Sequence, residues 1–561
     1  MTTGEAALSP RCWRLILLAF AGWLATGGLA LPPAFAGHAG QAGEAAGVPD
    51  ATETVADGPP GGEAATAPPR SPQVLHPPPP PVKVAPPPVC LDGQPALSPA
   101  EVTAVAHAAA AALDAPAMTI AVVDRVGKVL GVFRKPGTTA ADDDLAVGLA
   151  RTGAFFSNDQ APLSSRTVRF ISGIHFPPGI ANTSNGALYG IENTNRGCSL
   201  DVTFLPGQAV PPAGSLAGGT CKGNVQVGCG TGPVTGKIGP FDTNQAAVDP
   251  GGLPLFRGSA VVGGVGVAGV LPADAEFAAL TAAATAGFLP VVPAPGVVFI
   301  NGIRLPFVEQ QQRPAGTNPG SAAGSFTVGP LTGGCAPEGY LVGPSAGTQL
   351  AKAEVDQIVQ QAVAGASRTR AQIRLPIGAR ARMVIAVSDL DGSILALYRM
   401  PDATVFSIDV AVAKSRNVVY FSGGSIAAQA DLPAVPAGTA VTNRTIGFGA
   451  QPLYPPGIDG TGAGPFFDLF LRDTSFPCTQ GQQAANPHQS GIVFFPGSVP
   501  LYHGSNLAGG LGVSGDGVDQ DDYVTFLGAQ GFLPPQSIWA DRLTVDGARL
   551  PFLKFPRNPE N

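Results

Sequence analysis

TIAVVDRVGKVLGVFRKPGTT at 119–139 returns as VIAVSDLDGSILALYRMPDAT at 384–404. Asp124 corresponds to Asp389, Gly127 to Gly392, Arg134 to Arg399 and Pro136 to Pro401, all at one offset of 265 residues. Two apolar, β-branched runs flank a short turn in each copy, so each reads as a hairpin. In the second copy the turn is Leu390-Asp391-Gly392, and an Asp-Gly pair supplies the positive φ of a tight hairpin turn.

The likeness continues outward in order. Arg151 matches Arg416, and Phe156-Ser157 matches Phe421-Ser422. SRTVRFISGIHFPPGI at 165–180 matches NRTIGFGAQPLYPPGI at 443–458, the changed offset marking an insertion in the second copy. GGLPLFRGSAVVGGVGVAG at 251–269 matches GSVPLYHGSNLAGGLGVSG at 497–515, and INGIRLPFV at 300–308 matches VDGARLPFL at 545–553. Four colinear blocks define a tandem duplication, with domains expected at 90–330 and 335–561. Each copy is predicted to open with a helix (99–113 and 352–364) and to continue with the hairpin and a second helix (about 142–156 and 407–420). After a long irregular middle come two more strands and a short helix near 274–286 or 519–529. The expected fold is α/β: two tandem domains, each a mostly antiparallel sheet with flanking helices, packed as a pseudo-two-fold pair.

Residues 1–36 read as a signal peptide, with Arg11 and Arg14 before an apolar run and Ala34-Phe35-Ala36 as a cleavage site. An uncleaved anchor is the alternative, and Gly27, Gly28 and Pro32-Pro33 oppose it. No later run is long enough to span a bilayer, so no stable membrane insertion is expected after cleavage. Residues 37–89 are a proline-rich, disordered linker. The expected location is therefore secreted or periplasmic. A net charge of -7 argues against nucleic acid as a partner.

Beyond the signal the cysteines are Cys90, Cys198, Cys221, Cys229, Cys335 and Cys478, an even set in an exported chain. Their positions in the repeat predict Cys90–Cys198, Cys335–Cys478 and a local Cys221–Cys229 loop. No C-x-x-C pair points to metal binding.

The quoted hairpin, LYGIENTN at 188–195, GGLPLFRGSAVVGGVGVAG and their second copies resemble the GlcG/HbpS-type haem-binding family. The resemblance implies an α/β fold, self-association and haem binding, sometimes with haem breakdown. His or Tyr can hold haem iron. That makes His175 and His503 candidate iron ligands, with Tyr189, Tyr454 and Tyr502 as further cofactor-binding candidates. Arg166 and Arg444, matched between copies, suit haem propionates through bidentate hydrogen bonds, and a structural pair with Asp or Glu is the preferred alternative. His175 and His503 face Leu453 and Arg257 in the other copy, so neither ligand is duplicated.

The function these residues imply is extracytoplasmic haem binding, for capture or for haem or redox sensing. The alternatives are an enzyme such as one for haem degradation, a corrinoid-binding module and a ligand-free interaction module. No duplicated Ser-His-Asp or paired-carboxylate set supports conventional catalysis. Two G-x-G-x-x-G runs, Gly264 to Gly269 and Gly510 to Gly515, follow strands. The first copy has no acid between Glu276 and Glu309 to hold a ribose, so close packing or a bulge explains the glycines better. Gly343-Pro344-Ser345-Ala346-Gly347 matches a nucleophile motif but precedes a repeat instead of forming a strand-to-helix elbow. Asp124 and Asp389 are expected to accept backbone N–H bonds beside their turns.

Overall fold

The computed structural model describes residues 96–139, 142–191, 194, 198, 250–476 and 478–561. The signal and linker segments, Cys90, Cys221 and Cys229 lie outside these residues. Both repeats belong to one compact unit, Lys83–Asn561.

The first repeat runs α1 (Pro99–Ala112), β1 (Thr119–Asp124), β2 (Val129–Arg134), α2 (Asp142–Phe156), α3 (Ser165–Phe170), β3 (Gly252–Arg257), β4 (Ala260–Ala268), α4 (Pro272–Thr285), β5 (Phe299–Ile300), β6 (Ile303–Arg304) and β7 (Ser325–Val328). The second runs β8 (Gly339–Val342), α5 (Lys352–Arg368), β9 (Val384–Ser388), β10 (Ile394–Arg399), α6 (Ser407–Ser422), α7 (Ile426–Asp431), α8 (Asn443–Gly449), α9 (Phe467–Ser475), β11 (Ser498–His503), β12 (Asn506–Ser514), α10 (Val518–Gly528), β13 (Thr544–Val545) and β14 (Ala548–Arg549). Two antiparallel five-stranded sheets result, ordered β3-β4-β1-β2-β7 and β11-β12-β9-β10-β8. The α/β fold expected from the repeat is the fold observed.

Alternation along β1 assigns its two faces. Ile120 and Val122 join the core under α1 and α4, with Val105, Ala109 and Ala279. Ala121 and Val123 face the opposite way, into a core that holds Ala146, Ala150 and Phe156 of α2 and runs on through the second repeat. With both faces covered, the centre of the strand, Ile120 to Val123, is apolar on both sides. α1 begins at a capping box, Ser98 with Glu101, and Pro99 occupies its first turn.

The G-x-G-x-x-G glycines fit α2 and α6 closely onto the sheets. A Cβ on Gly264 or Gly266 would overlap the carbonyl oxygens of Ala150 or Ala146, and one on Gly510 or Gly512 those of Ser415 or Ala411. Their role is close helix-on-sheet packing in both copies. Arg151 and Arg416 close each hairpin from the same helices, their Nε donating to the carbonyls of Gly127 and Gly392 at 2.8 Å. Those turn glycines adopt φ of 82° and 86°.

The connection between repeats, not anticipated as structure, forms two edge strands. β7 pairs with β2 and completes the first sheet, and β8 pairs with β10 on the second.

The cysteine pairing differs from expectation. Cys198 bonds to Cys478, 280 residues away and in the other repeat, with Cα atoms 5.3 Å apart. This overturns Cys90–Cys198 and Cys335–Cys478. Cys335 is disulfide-bonded too, to a partner outside the described residues. Equivalent positions suggested pairing within each copy, but the fold brings the two middle segments together. Tyr189 stacks on Phe470 at 5.0 Å and donates to the carbonyl of Ala450 at 3.3 Å. A non-reducing peptide map is expected to recover Cys198 and Cys478 in one linked species, whereas a Cys335–Cys478 species would contradict this pairing.

The junction has an apolar and a polar part. Phe156 and Phe406 stack at 4.4 Å. Beside them Arg374 reaches Asp516 at 2.8 Å, Asp402 at 2.5 Å and Gln160 of the first repeat at 3.1 Å. Asp402 in turn accepts from the backbone N–H of Asp159 at 3.0 Å.

Candidate functional site

A cleft of about 760 Å³ opens in the first repeat between α3, the end of α4 and the chain that leaves β6. Local sequence sets each wall. Ser164 caps α3 through a box with Thr167, which also donates from its hydroxyl to the carbonyl of Pro306 at 2.6 Å. Arg166 on α3 meets Glu276 on α4 in a two-point pair, Nε to Oε1 at 2.7 Å and Nη2 to Oε2 at 2.9 Å. Glu276 also accepts from the backbone of Glu309 and Gln310, at 3.2 and 2.9 Å. One buried ion pair therefore ties all three walls together.

Phe170, Leu280, Leu289 and Phe307 form the apolar lining, while Arg169 and Arg304 add positive charge. Arg304 is exposed. Its Nε donates to the carbonyl of Gly296 at 2.5 Å, and its Nη groups have no partner among the described residues. Such a cleft can hold a flat apolar body and pair with a carboxylate at its edge.

The ion pair recurs in the second repeat, where Arg444 binds Asp522 at 2.5 Å and Asp519 at 2.6 Å. The cleft's lining differs there. Arg169 corresponds to Gly447, and Phe552, the counterpart of Phe307, is covered by Trp539 stacked at 4.5 Å.

A second cavity, of about 260 Å³, lies at the junction and takes lining from both repeats. Phe156, Phe406 and Phe495 contribute apolar surface, and Asp519, Asp521, Arg444 and Lys554 contribute charge. Burial pushes the carboxyl of Asp521 up to about 7, with Lys414 opposing, and burial lowers the Lys414 ammonium.

Arg166 lines the first cleft and Arg444 the second cavity. The other candidates are dispersed. His175 sits at the junction, with Nδ1 3.1 Å from the carbonyl of Thr183 and Nε2 3.4 Å from Asp459. His503 ends β11, with Nε2 3.1 Å from Glu354 at the start of α5. Arg257 makes the equivalent pair with Glu101 at 2.6 Å in the first repeat. Tyr502 is buried beside His503, and burial pushes its hydroxyl up to about 12. Tyr454 donates to the carbonyl of Val545 at 2.9 Å, and Tyr189 takes the junction position given above. No His, Tyr, Cys or Met lines either cavity among the described residues.

Asp124 accepts from the backbone of Val126, Lys128 and Gly334, and Asp389 from Leu390 and Thr348, as expected beside their turns. Ser345 donates to the carbonyl of Leu395 at 3.2 Å in the connection after β8. Among the described residues no cluster of three His, Cys, Asp or Glu forms a metal site, and no helix is long and apolar enough to cross a membrane. Sequence reading missed Arg169, Arg304 and the apolar lining. The available signal was a difference between copies, Arg169 against Gly447.

Together these features define a tandem α/β protein with an apolar, arginine-edged cleft in its first repeat. The sequence model of the family described as haem degrading protein HbpS-like matches residues 98–284 and 352–529, so the chain belongs to that family. No curated protein matches it. Among solved structures, the crystal structure of a PduOC:heme complex is similar at 21% identity, over 33% of this chain and 96% of that one, with a TM-score of 0.22. The crystal structure of Klebsiella pneumoniae protein ORFY, family-model DUF336, is similar at 19% identity, over 33% of this chain and 92% of that one, with a TM-score of 0.21.

Proposed function

We propose that this protein binds haem outside the cytoplasm, in the first-repeat cleft, as a capture protein or sensor. The carrying observation is an apolar cleft of about 760 Å³ with an arginine, Arg304, at its edge that meets no carboxylate among the described residues, in a chain of the HbpS-like family. Its volume falls within the range of small-molecule and cofactor sites, roughly 300–1,000 Å³. Haem offers two apolar faces and two propionates. Phe170, Leu280, Leu289 and Phe307 would contact the faces, and Arg304 would take a carboxylate.

The cleft thus fits the porphyrin and its acids, while its described lining supplies no customary iron ligand. Bound haem would bring a redox-active iron, and the chain's residues bind and orient the ring. A family of haem-degrading type and cysteines joined across the repeats support this reading and its oxidising location. The signal-like residues 1–36 support export.

Titration of the purified full chain with hemin is expected to shift the Soret band at micromolar concentrations. Arg304→Glu is expected to weaken binding about tenfold, since losing a charge-assisted hydrogen bond and adding repulsion costs at least ~1.4 kcal/mol. His175→Ala and His503→Ala are expected to retain the shift, and iron-free protoporphyrin IX to bind about as tightly as hemin. No shift at micromolar hemin, or a shift lost in a histidine variant and kept in Arg304→Glu, would overturn the proposal.

A further inference from the structure

Lys414 on α6 and Asp521 on α10 form a buried pair that the haem reading does not use. Their side chains are 0% and 3% exposed. Lys414 Nζ lies 3.0 Å from Oδ2 of Asp521, so the carboxyl carbon is one bond beyond that contact. Nζ also donates to the carbonyl of Val513 at 2.8 Å, and the ring of Phe495 stands 5.0 Å from it. Gly497, at φ of 119°, leaves room for the approach. A Cβ there would lie 2.6 Å from both Nζ of Lys414 and Cβ of Asp521.

This arrangement belongs to the second copy alone. Lys414 and Asp521 correspond to Leu149 and Ala275 in the first, and Gly497 to Gly251, which keeps the same conformation at φ of 118°. One frame therefore holds an apolar pair in one copy and an amine beside a carboxyl in the other. The charges are no requirement of the fold.

As an ion pair the two groups are poorly served. Oδ1 of Asp521 is buried and makes no hydrogen bond, and both charges are withdrawn from water. An amide in the same place needs less. Its single N–H keeps the Val513 carbonyl, and a neutral oxygen replaces the charged one that lacks a donor. Burial pushes the Asp521 carboxyl up to about 7 against the opposing Lys414, and burial lowers the Lys414 ammonium, so burial favours amine and acid over the two ions. Well-oriented partners held in contact reach effective concentrations on the order of 10⁵ M or more, and exclusion of water protects the product from hydrolysis.

We infer that Lys414 and Asp521 join in an intramolecular isopeptide bond that ties α6 to α10. The ammonium first gives one proton to the carboxylate along their hydrogen bond. Neutral Nζ then attacks Cγ, the N–C bond forms and one C–O bond breaks. The leaving hydroxyl takes a second proton from nitrogen and departs as water, so no oxidant, reductant or activating group is consumed. The bond closes a loop of 107 residues and, unlike the disulfide, survives reduction. It does not rest on the haem reading.

The test is a tryptic peptide map of the full chain after denaturation and reduction. Trypsin should fail to cut after the acylated Lys414. Residues 400–416 are then expected to be recovered joined to residues 473–542, lighter than the two peptides together by one molecule of water, with fragmentation placing the bond between Lys414 and Asp521. Asp521→Ala, the residue the first copy carries, is expected to restore cleavage after Lys414 and to separate the two peptides. Separate, full-mass peptides from the native chain, a bond from Lys414 to another carboxyl, or a linkage kept in Asp521→Ala would overturn the inference. Should Asp521→Ala fail to fold, the double variant Lys414→Leu with Asp521→Ala reproduces the first copy's apolar pair, and the map of the native chain decides by itself.

Discussion

Arg374→Met is expected to destabilise the protein by about 3–5 kcal/mol, the range for removing one partner of a buried ion pair. Side chains of Arg374 and Asp516 are 1% and 0% exposed. Arg374 also holds Asp402, through both its carboxylate and its carbonyl, and Gln160 of the first repeat. Methionine keeps much of the volume and removes every one of these bonds. What remains is the Asp516 carboxylate, without its cation and served by the backbone N–H of Arg382 at 2.7 Å and by Asn158 at 3.5 Å.

The loss should depend on pH in a definite direction. Burial already raises the Asp516 carboxyl above its ordinary value, and Arg374 opposes that rise. Without Arg374 the folded-state value climbs further above the unfolded one, so the folded variant binds the extra proton. Stability therefore recovers as pH falls from neutral toward the ordinary aspartate range, and it is lost again as pH rises. Urea denaturation of native chain and variant across that range measures the difference. Adding Asp516→Asn to the variant is expected to restore part of the loss at neutral pH, because it removes the unpaired charge. Equal stability of Arg374→Met and native protein at neutral pH would show that the junction does not rely on this network.

Gly512→Ala is expected to cost about 3 kcal/mol, the upper end of what overpacking a core costs. The added methyl would overlap the carbonyl oxygen of Ala411, in a helix that already lies against the sheet. Neither backbone can yield without shifting α6 from β12. Gly266→Ala repeats the conflict against Ala146 in the first copy and should behave alike. Gly343→Ala is the control, since nothing lies within 4 Å of a Cβ there, and its thermal midpoint should match the native one. A near-native midpoint for Gly512→Ala would mean that these glycines do not set the helix-to-sheet distance.

The scaffold was legible in sequence because duplication displayed it twice. Hairpins β1–β2 and β9–β10 and the helices that open and close each copy fall where the repeat placed them, for their apolar patterns are local. Edge strands β7 and β8 escaped notice because Ser325–Val328 is half-exposed in a Gly- and Ser-rich stretch with little apolar signal. The disulfide was misassigned because equivalence within the repeat says nothing about which middle segments meet.

Little of the site was legible, for a related reason. Histidines drew attention as iron ligands, yet His503 occupies the place of Arg257 in the same hairpin-to-helix pair. The cleft depends on residues distant in sequence, Arg169, Leu289 and Arg304, and on what the second copy replaces with Trp539. Lys414 and Asp521 stand 107 residues apart and have no charged counterparts in the first copy. In both cases the duplication specifies the frame, and the unduplicated side chains supply the chemistry.

The most direct test of the proposed function is a crystal structure of the full chain with hemin. The expected result is one porphyrin in the first-repeat cleft, its faces on Leu280, Leu289 and Phe307 and a propionate on Arg304. A porphyrin bound elsewhere, with its iron on His175 or His503, would contradict it.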